Sequence, residues 1–142
     1  MEIMYQSTRS NGEKVTASQA ILKGLADDGG LFVPDAMPKF EVPLGNLKDM
    51  SYQETAYEVM KLFFTDFTDE ELKACIRGAY DTKFDTDVIA PLVSAAEAGK
   101  SAGKADTDAA GEDAYYLELF HGKTIAFKDM ALSILPYLMT TA

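Results

Sequence analysis

The run FKDMALSILPYLM, from Phe127 to Met139, constrains this chain most, because it leaves almost no polar face for water. A helix that is apolar on every side has to be buried. The strand-like AYYLELF and the turn HGK stand directly before it, so the segment reads as strand, glycine turn and helix, half of a βαβ unit. Completing such a unit takes neighbouring parallel strands and a crossover of about a dozen residues or more. The sequence ends at Ala142 without them. The expectation is therefore the front part of a longer α/β protein, with Pro136 kinking or ending the helix by removing its bond to Leu132.

Upstream, Ile3 to Ser7 reads as a short strand closed by the turn residues SNGE. Three S/T-x-x-E/Q boxes then mark helix starts, at Thr16/Gln19, Ser51/Glu54 and Thr68/Glu71, and Gly24 marks a helix stop. DDGGLFVP is a glycine turn into a brief strand ended by Pro34, and PDAMPKFEVPLG is an irregular connector. In the second and third helices the apolar stripes are Tyr52, Ala56, Val59, Leu62 and Phe63, and Leu72, Cys75, Ile76 and Ala79. These helices should pack on the opening strand or on each other. From Ser94 to Ala114 no bulky apolar side chain repays the entropy of ordering, which predicts a mobile linker. The expected organisation is an α/β domain over 1–93, a linker over 94–114 and a second domain that starts at 115–142.

Charge and cysteine usage narrow the function. A formal charge of −10, with 13 Lys and Arg against 23 Asp and Glu, excludes the clustered basic surface that nucleic acid requires. The N-terminus carries no signal-peptide pattern, and the C-terminal run is too short to span a bilayer. The single cysteine, Cys75, lies in a helical apolar pattern and reads as a buried reduced thiol, which suits the cytoplasm. The acidic pairs Asp27–Asp28, Asp85-x-Asp87 and Asp106-x-Asp108 lack the further oxygen ligands of a metal loop, so no metal is expected. GKSAGK lacks the spacing of a phosphate-binding loop.

Lys128 stands at the mouth of the apolar helix. Desolvating an ammonium is costly, and the cost persists where the amine has a chemical task or a partner. In one reading it is structural and pairs with Asp129; in the other it is a nucleophilic amine of the kind that forms a Schiff base. His121, the only histidine, either orients a ligand or bonds backbone in its turn. Arg9, with Ser7 and Thr8, either helps neutralise a phosphate or lies solvated at the surface.

The segment ELFHGKTIAFKDMA, Glu118 to Ala131, resembles the pyridoxal phosphate attachment site of the serine and threonine dehydratases and of threonine synthase. Its F-H-G-x-T-x-A-F-K-D form resembles the threonine synthase family in particular. YQSTR (Tyr5 to Arg9) and DDGGLFVP (Asp27 to Pro34) are similar to the opening signatures of that family. The resemblance implies a fold type II, tryptophan synthase β-subunit-like enzyme that uses pyridoxal 5′-phosphate. Its small N-terminal α/β domain would be followed here by the start of the catalytic domain. The implied reaction converts O-phospho-L-homoserine and water to L-threonine and phosphate. By the same resemblance Lys128 takes the place of the Schiff-base lysine, Phe127 and Asp129 flank the cofactor, and Ser7, Thr8, Arg9, His121 and Thr124 are candidate substrate contacts. The phosphate cup and the partner of the pyridine nitrogen have no candidates in this sequence. Lys123 stands where the family often has proline. A related dehydratase, or a non-catalytic regulatory or interaction module descended from such an enzyme, is the alternative. The intact TIAFKDMA favours an enzyme, and DGGLFVP favours threonine synthase.

Overall fold

The computed structural model describes residues 2–9, 12–95, 97 and 114–142. The chain divides into two compact units, Met1–Asp81 with Ala131–Ala142, and Thr82–Met130.

In the first unit, β1 (Tyr5–Ser7) pairs antiparallel with β2 (Phe32–Pro34), with Gln6 opposite Val33. The strand is shorter at its start than the sequence suggests, because Ile3 and Met4 lie outside the ladder. Between the strands runs α1 (Ala17–Lys23), opened by the Thr16/Gln19 box and closed at Gly24, whose φ of 75° suits a residue without a Cβ. Backbone, hydroxyl and carboxylate groups of residues 63–66 fasten this hairpin. Tyr5 Oη donates to the Phe63 carbonyl at 3.0 Å, Ile3 N–H donates to Thr65 Oγ1 at 3.0 Å, and Ser18 N–H donates to Asp66 Oδ2 at 2.9 Å.

The proline-rich connector is less irregular than expected. After Pro43 it makes one helical turn, α2 (Leu44–Leu47). Next come α3 (Tyr52–Met60) and α4 (Asp69–Ala79), which pack on each other, and both predicted capping boxes are formed. The stripe expected on α4 is the core: Leu72, Cys75, Ile76 and Ala79 are all buried, at a typical gain of about 1.5–3 kcal/mol for each large side chain. The stripe on α3 is only half-covered, and Val59 is 41% exposed. Tyr52 instead meets Tyr80 edge-on at 4.9 Å, and Gln53 Nε2 donates to the Tyr80 carbonyl.

The apolar run near the C-terminus is not one buried helix. It forms α5 (Asp129–Leu132), a turn at Ser133 and Ile134, and α6 (Leu135–Thr141). Pro136 falls in the first turn of α6, where its missing N–H leaves no bond unmade. α6 packs on α1 and α4 through Leu138, while Ile134 is buried just before it. Leu132, Leu135 and Met139 are exposed, so only one face of this run is covered within the chain. Gly78 lets α4 approach the Tyr137 ring, where a Cβ would collide. Cys75 is a free buried thiol, 3.5 Å from Thr141 Oγ1. Among the described residues no helix is long and apolar enough to cross a membrane.

The second unit is built on a different plan. β3 (Leu92–Ser94) pairs antiparallel with β4 (Tyr115–Leu117), with Val93 opposite Tyr116. The sequence suggested a longer strand through Phe120 with parallel neighbours; the partner found is antiparallel and comes from residues read as the end of the first domain. Ser94, placed in the linker by composition, closes β3, whereas 98–113, with GKSAGK and Asp106-x-Asp108, lies outside the described residues. All of β4 is exposed, and among the described residues of this unit Phe84 and Ile89 are the buried apolar side chains.

Candidate active site

Lys128 is exposed, one residue before α5 begins. The expectation of a buried amine therefore fails in this chain, and so does its pairing with Asp129. Asp129 is 5% exposed and its carboxylate is spent on Thr124: Oδ2 accepts the backbone N–H at 2.7 Å, and Oδ1 accepts the hydroxyl at 2.6 Å. Among the described residues no hydrogen bond or ion pair engages the Lys128 ammonium. Phe127, expected beside a cofactor, is 66% exposed. Thr124, a candidate substrate contact, closes the loop in which Lys128 stands.

That loop is strained. Ile125 has φ of 60°, a region that β-branched residues seldom occupy. Gly122 is buried against the Asp129 side chain, and no Cβ fits there. Nothing in the sequence pattern signalled either feature, although strain of this kind gathers at functional sites.

His121 joins two carboxylates. Nδ1 lies 2.7 Å from Asp85 Oδ1, and Nε2 lies 2.7 Å from Glu118 Oε2. Its own carbonyl also accepts the Asp85 N–H at 3.0 Å. The bond to Glu118 is the main cause that holds the imidazole pKa above its ordinary value, with Asp85 adding to it against the opposing effect of desolvation. Neither sequence reading had this arrangement: the ring bonds side chains, and Glu118 and Asp85 carried no prior signal beyond their charge.

Ser7, Thr8 and Arg9 meet the DDGG turn within the first unit. Ser7 Oγ donates to Asp28 Oδ1 at 2.7 Å, Thr8 Oγ1 accepts the Leu31 N–H at 3.1 Å, and Arg9 Nη1 donates to the Asp28 carbonyl at 3.1 Å. Gly29 has φ of 75°, and a Cβ on Gly30 would collide with Ser7 Oγ. Two signatures that are distant in sequence thus form one fastening, in which Ser7 and Thr8 serve the turn. Arg9 is exposed and commits only one of its donors there. His121, Thr124, Phe127, Lys128 and Asp129 belong to the second unit. A hollow of about 390 Å³ beside α3 and α4, and another of about 980 Å³ beneath the 36–43 connector, are lined by none of the candidate site residues.

A hairpin fastened by S-T-R to a D-D-G-G turn, three capped helices and a lysine at a strained loop define a member of a recognisable enzyme family. The model of the threonine synthase N terminus matches residues 4–80, ending within one residue of the boundary of the first unit's long segment, and the chain belongs to that family. The Saccharomyces cerevisiae threonine synthase is 37% identical over an alignment of 134 residues that covers 91% of this chain and 24% of that protein. The crystal structure of threonine synthase from yeast superposes with a TM-score of 0.77 at 34% identity, covering 95% of this chain and 25% of that one. A PLP-bound threonine synthase from Brucella melitensis gives 0.75 at 33% identity, over 96% of this chain and 26% of its own. The chain thus spans about a quarter of the length of these relatives.

Proposed function

We propose that this chain forms the amino-terminal part of a threonine synthase, acting in the cytoplasm, which converts O-phospho-L-homoserine and water to L-threonine and phosphate. The observation that carries the reading is the family match together with an exposed amine at Lys128 that has no hydrogen-bond or ion-pair partner among the described residues. A cofactor bearing an aldehyde needs a primary amine that it can reach and that no carboxylate has claimed. Among the described residues Lys128 meets both conditions, its neighbour Asp129 being turned to Thr124, so its amine fits the aldehyde of pyridoxal 5′-phosphate. When bound, that group supplies an electron sink for carbanion chemistry at the substrate.

The chain's own contributions follow from their chemistry. Lys128 Nζ holds the cofactor covalently and is the group here able to take up and return a proton. Phe127, exposed beside it, offers an apolar face for the ring. Arg9 keeps donors for a phosphate oxygen, with Ser7 and Thr8 fixing the backbone that bears it. His121 bridges two carboxylates, which favour its protonated form, and orients the turn ahead of Thr124. In this reading residues 1–93 belong to the N-terminal domain and 115–142 open the fold type II catalytic domain.

The test is Lys128→Ala in a threonine synthase carrying this sequence. The expected outcome is loss of the visible absorbance of bound cofactor and of phosphate release from O-phospho-L-homoserine, with the far-ultraviolet circular dichroism unchanged. Retained absorbance and turnover would place the attachment elsewhere.

A further inference from the structure

Among the described residues the buried carboxylate of Asp129 has no cation against it, and both of its bonds come from one residue five positions earlier. Burying a carboxylate is costly, and here the bonds that offset the cost also close a loop. Inside that loop Ile125 N–H donates to the Gly122 carbonyl at 3.0 Å, and Asp129 N–H donates to the Ala126 carbonyl at 3.0 Å. The Gly122 α-carbon lies against the Asp129 side chain, which leaves the turn no room to relax inward. A β-branched residue at φ of 60° persists only where its surroundings over-determine it. The Thr124–Asp129 bonds are the nearest such determinant.

We propose that Asp129 is the positioning residue for Lys128: through Thr124 its buried carboxylate closes the Gly122–Asp129 loop, holds Ile125 in the left-handed region and fixes the backbone from which Lys128 projects. Asp129 itself stays off the cofactor. The inference rests on the proposed function for its purpose, though not for its geometry. Residues 128 and 129 divide the work: one presents an amine to solvent, and the other anchors it from the buried side.

The geometry is tested in this chain by a thermal double-mutant cycle of Ile125→Gly with Asp129→Ala. In the native background Ile125→Gly should raise the melting midpoint, because glycine adopts a positive φ without strain. With Asp129→Ala the gain should vanish, since the loop is already released. Additive effects would overturn the proposal. Should Asp129→Ala fail to fold, Thr124→Val removes the hydroxyl bond alone, and the gain should shrink in part; an undiminished gain would overturn it equally. Amide exchange at Thr124 should quicken roughly tenfold in Asp129→Ala, the equivalent of about one lost hydrogen bond, and return close to native in Asp129→Asn.

The purpose is tested in a threonine synthase carrying this sequence, titrated with pyridoxal 5′-phosphate and followed by absorbance. Asp129→Ala should raise the apparent dissociation constant roughly tenfold, with Asp129→Asn near native and Lys128→Ala abolishing the signal. If Lys128→Ala abolishes it while Asp129→Ala leaves it untouched, the positioning role is wrong and the functional reading stands. If Lys128→Ala leaves the signal intact, the functional reading falls, whatever the thermal cycle shows.

Discussion

The first unit and the second are held together by different physics. In the first, a helix face made of Leu72, Cys75, Ile76 and Ala79 is buried, and each of its capped helices begins with a side chain bonded to its own first turn. In the second, Phe84 and Ile89 are buried, but Leu92, Tyr115, Tyr116, Leu117, Phe120, Ile125 and Phe127 are all about half exposed or more, and the loop around Lys128 is ordered by polar bonds of Asp129 and His121. Apolar burial tolerates small changes of geometry; bonds of 2.6 to 2.7 Å to a buried carboxylate do not. The loop that carries Lys128 is therefore the one fixed by exact bond geometry.

The largest expected effect separates the two directly. Leu72 is 1% exposed, so Leu72→Ala should cost about 2–5 kcal/mol of unfolding free energy, as lost transfer energy and cavity formation add. Leu117 is more than half exposed, and Leu117→Ala should fall within about 0.5 kcal/mol. Urea melts of this chain compare them. Equal losses would mean that the second unit has a core the exposures do not show.

A smaller effect probes the local logic of the first unit. Thr68 Oγ1 accepts the Glu71 N–H, and Glu71 Oε2 accepts the Thr68 N–H at 2.8 Å. Thr68→Ala should cost about 1 kcal/mol, with Thr68→Ser close to native. A neutral Thr68→Ala in the same urea melts would show that packing on α3 and α6 alone sets the start of α4.

These differences explain what the sequence could show. Capping boxes, the Gly24 stop and the α4 stripe are local patterns, read within one or two helical turns, and all of them are present in the fold. The pairing of β3 with β4 joins residues more than twenty positions apart across a stretch with no periodic signal. Val59 matched the stripe on α3 yet is exposed, because helical spacing says which residues share a face and not whether that face is covered. Lys128 was marked by its apolar neighbours, while the partner of Asp129 could not be read: an adjacent lysine is the obvious choice, and only the loop brings Thr124 closer. The positive φ of Ile125 has no residue-type signal at all.

The smallest effect is a pH dependence of opposite sign in the two units. His121 is held above its ordinary pKa, first by the bond to Glu118 and then by Asp85, so its contribution to stability is fully present below about 6.5 and is lost as pH rises through the raised value. Glu54 and Glu71 are held below the ordinary carboxylate value, first by backbone N–H bonds from Ser51 and Thr68 and then by their hydroxyls. Their contribution is present above about 4.3 and is lost as pH falls through the lowered values. The helix starts of the first unit should thus loosen as pH falls and the His121 turn as pH rises. Amide exchange in this chain at residues 52–54 and 69–71, set against residues 121–124, resolves the two limbs. His121→Gln should remove the rising-pH limb and leave the acid one. A His121 ring that titrates at or below its ordinary value, followed by nuclear magnetic resonance, would show that the two carboxylates do not hold the imidazolium in solution, and the contrast between the units would then rest on Asp129 alone.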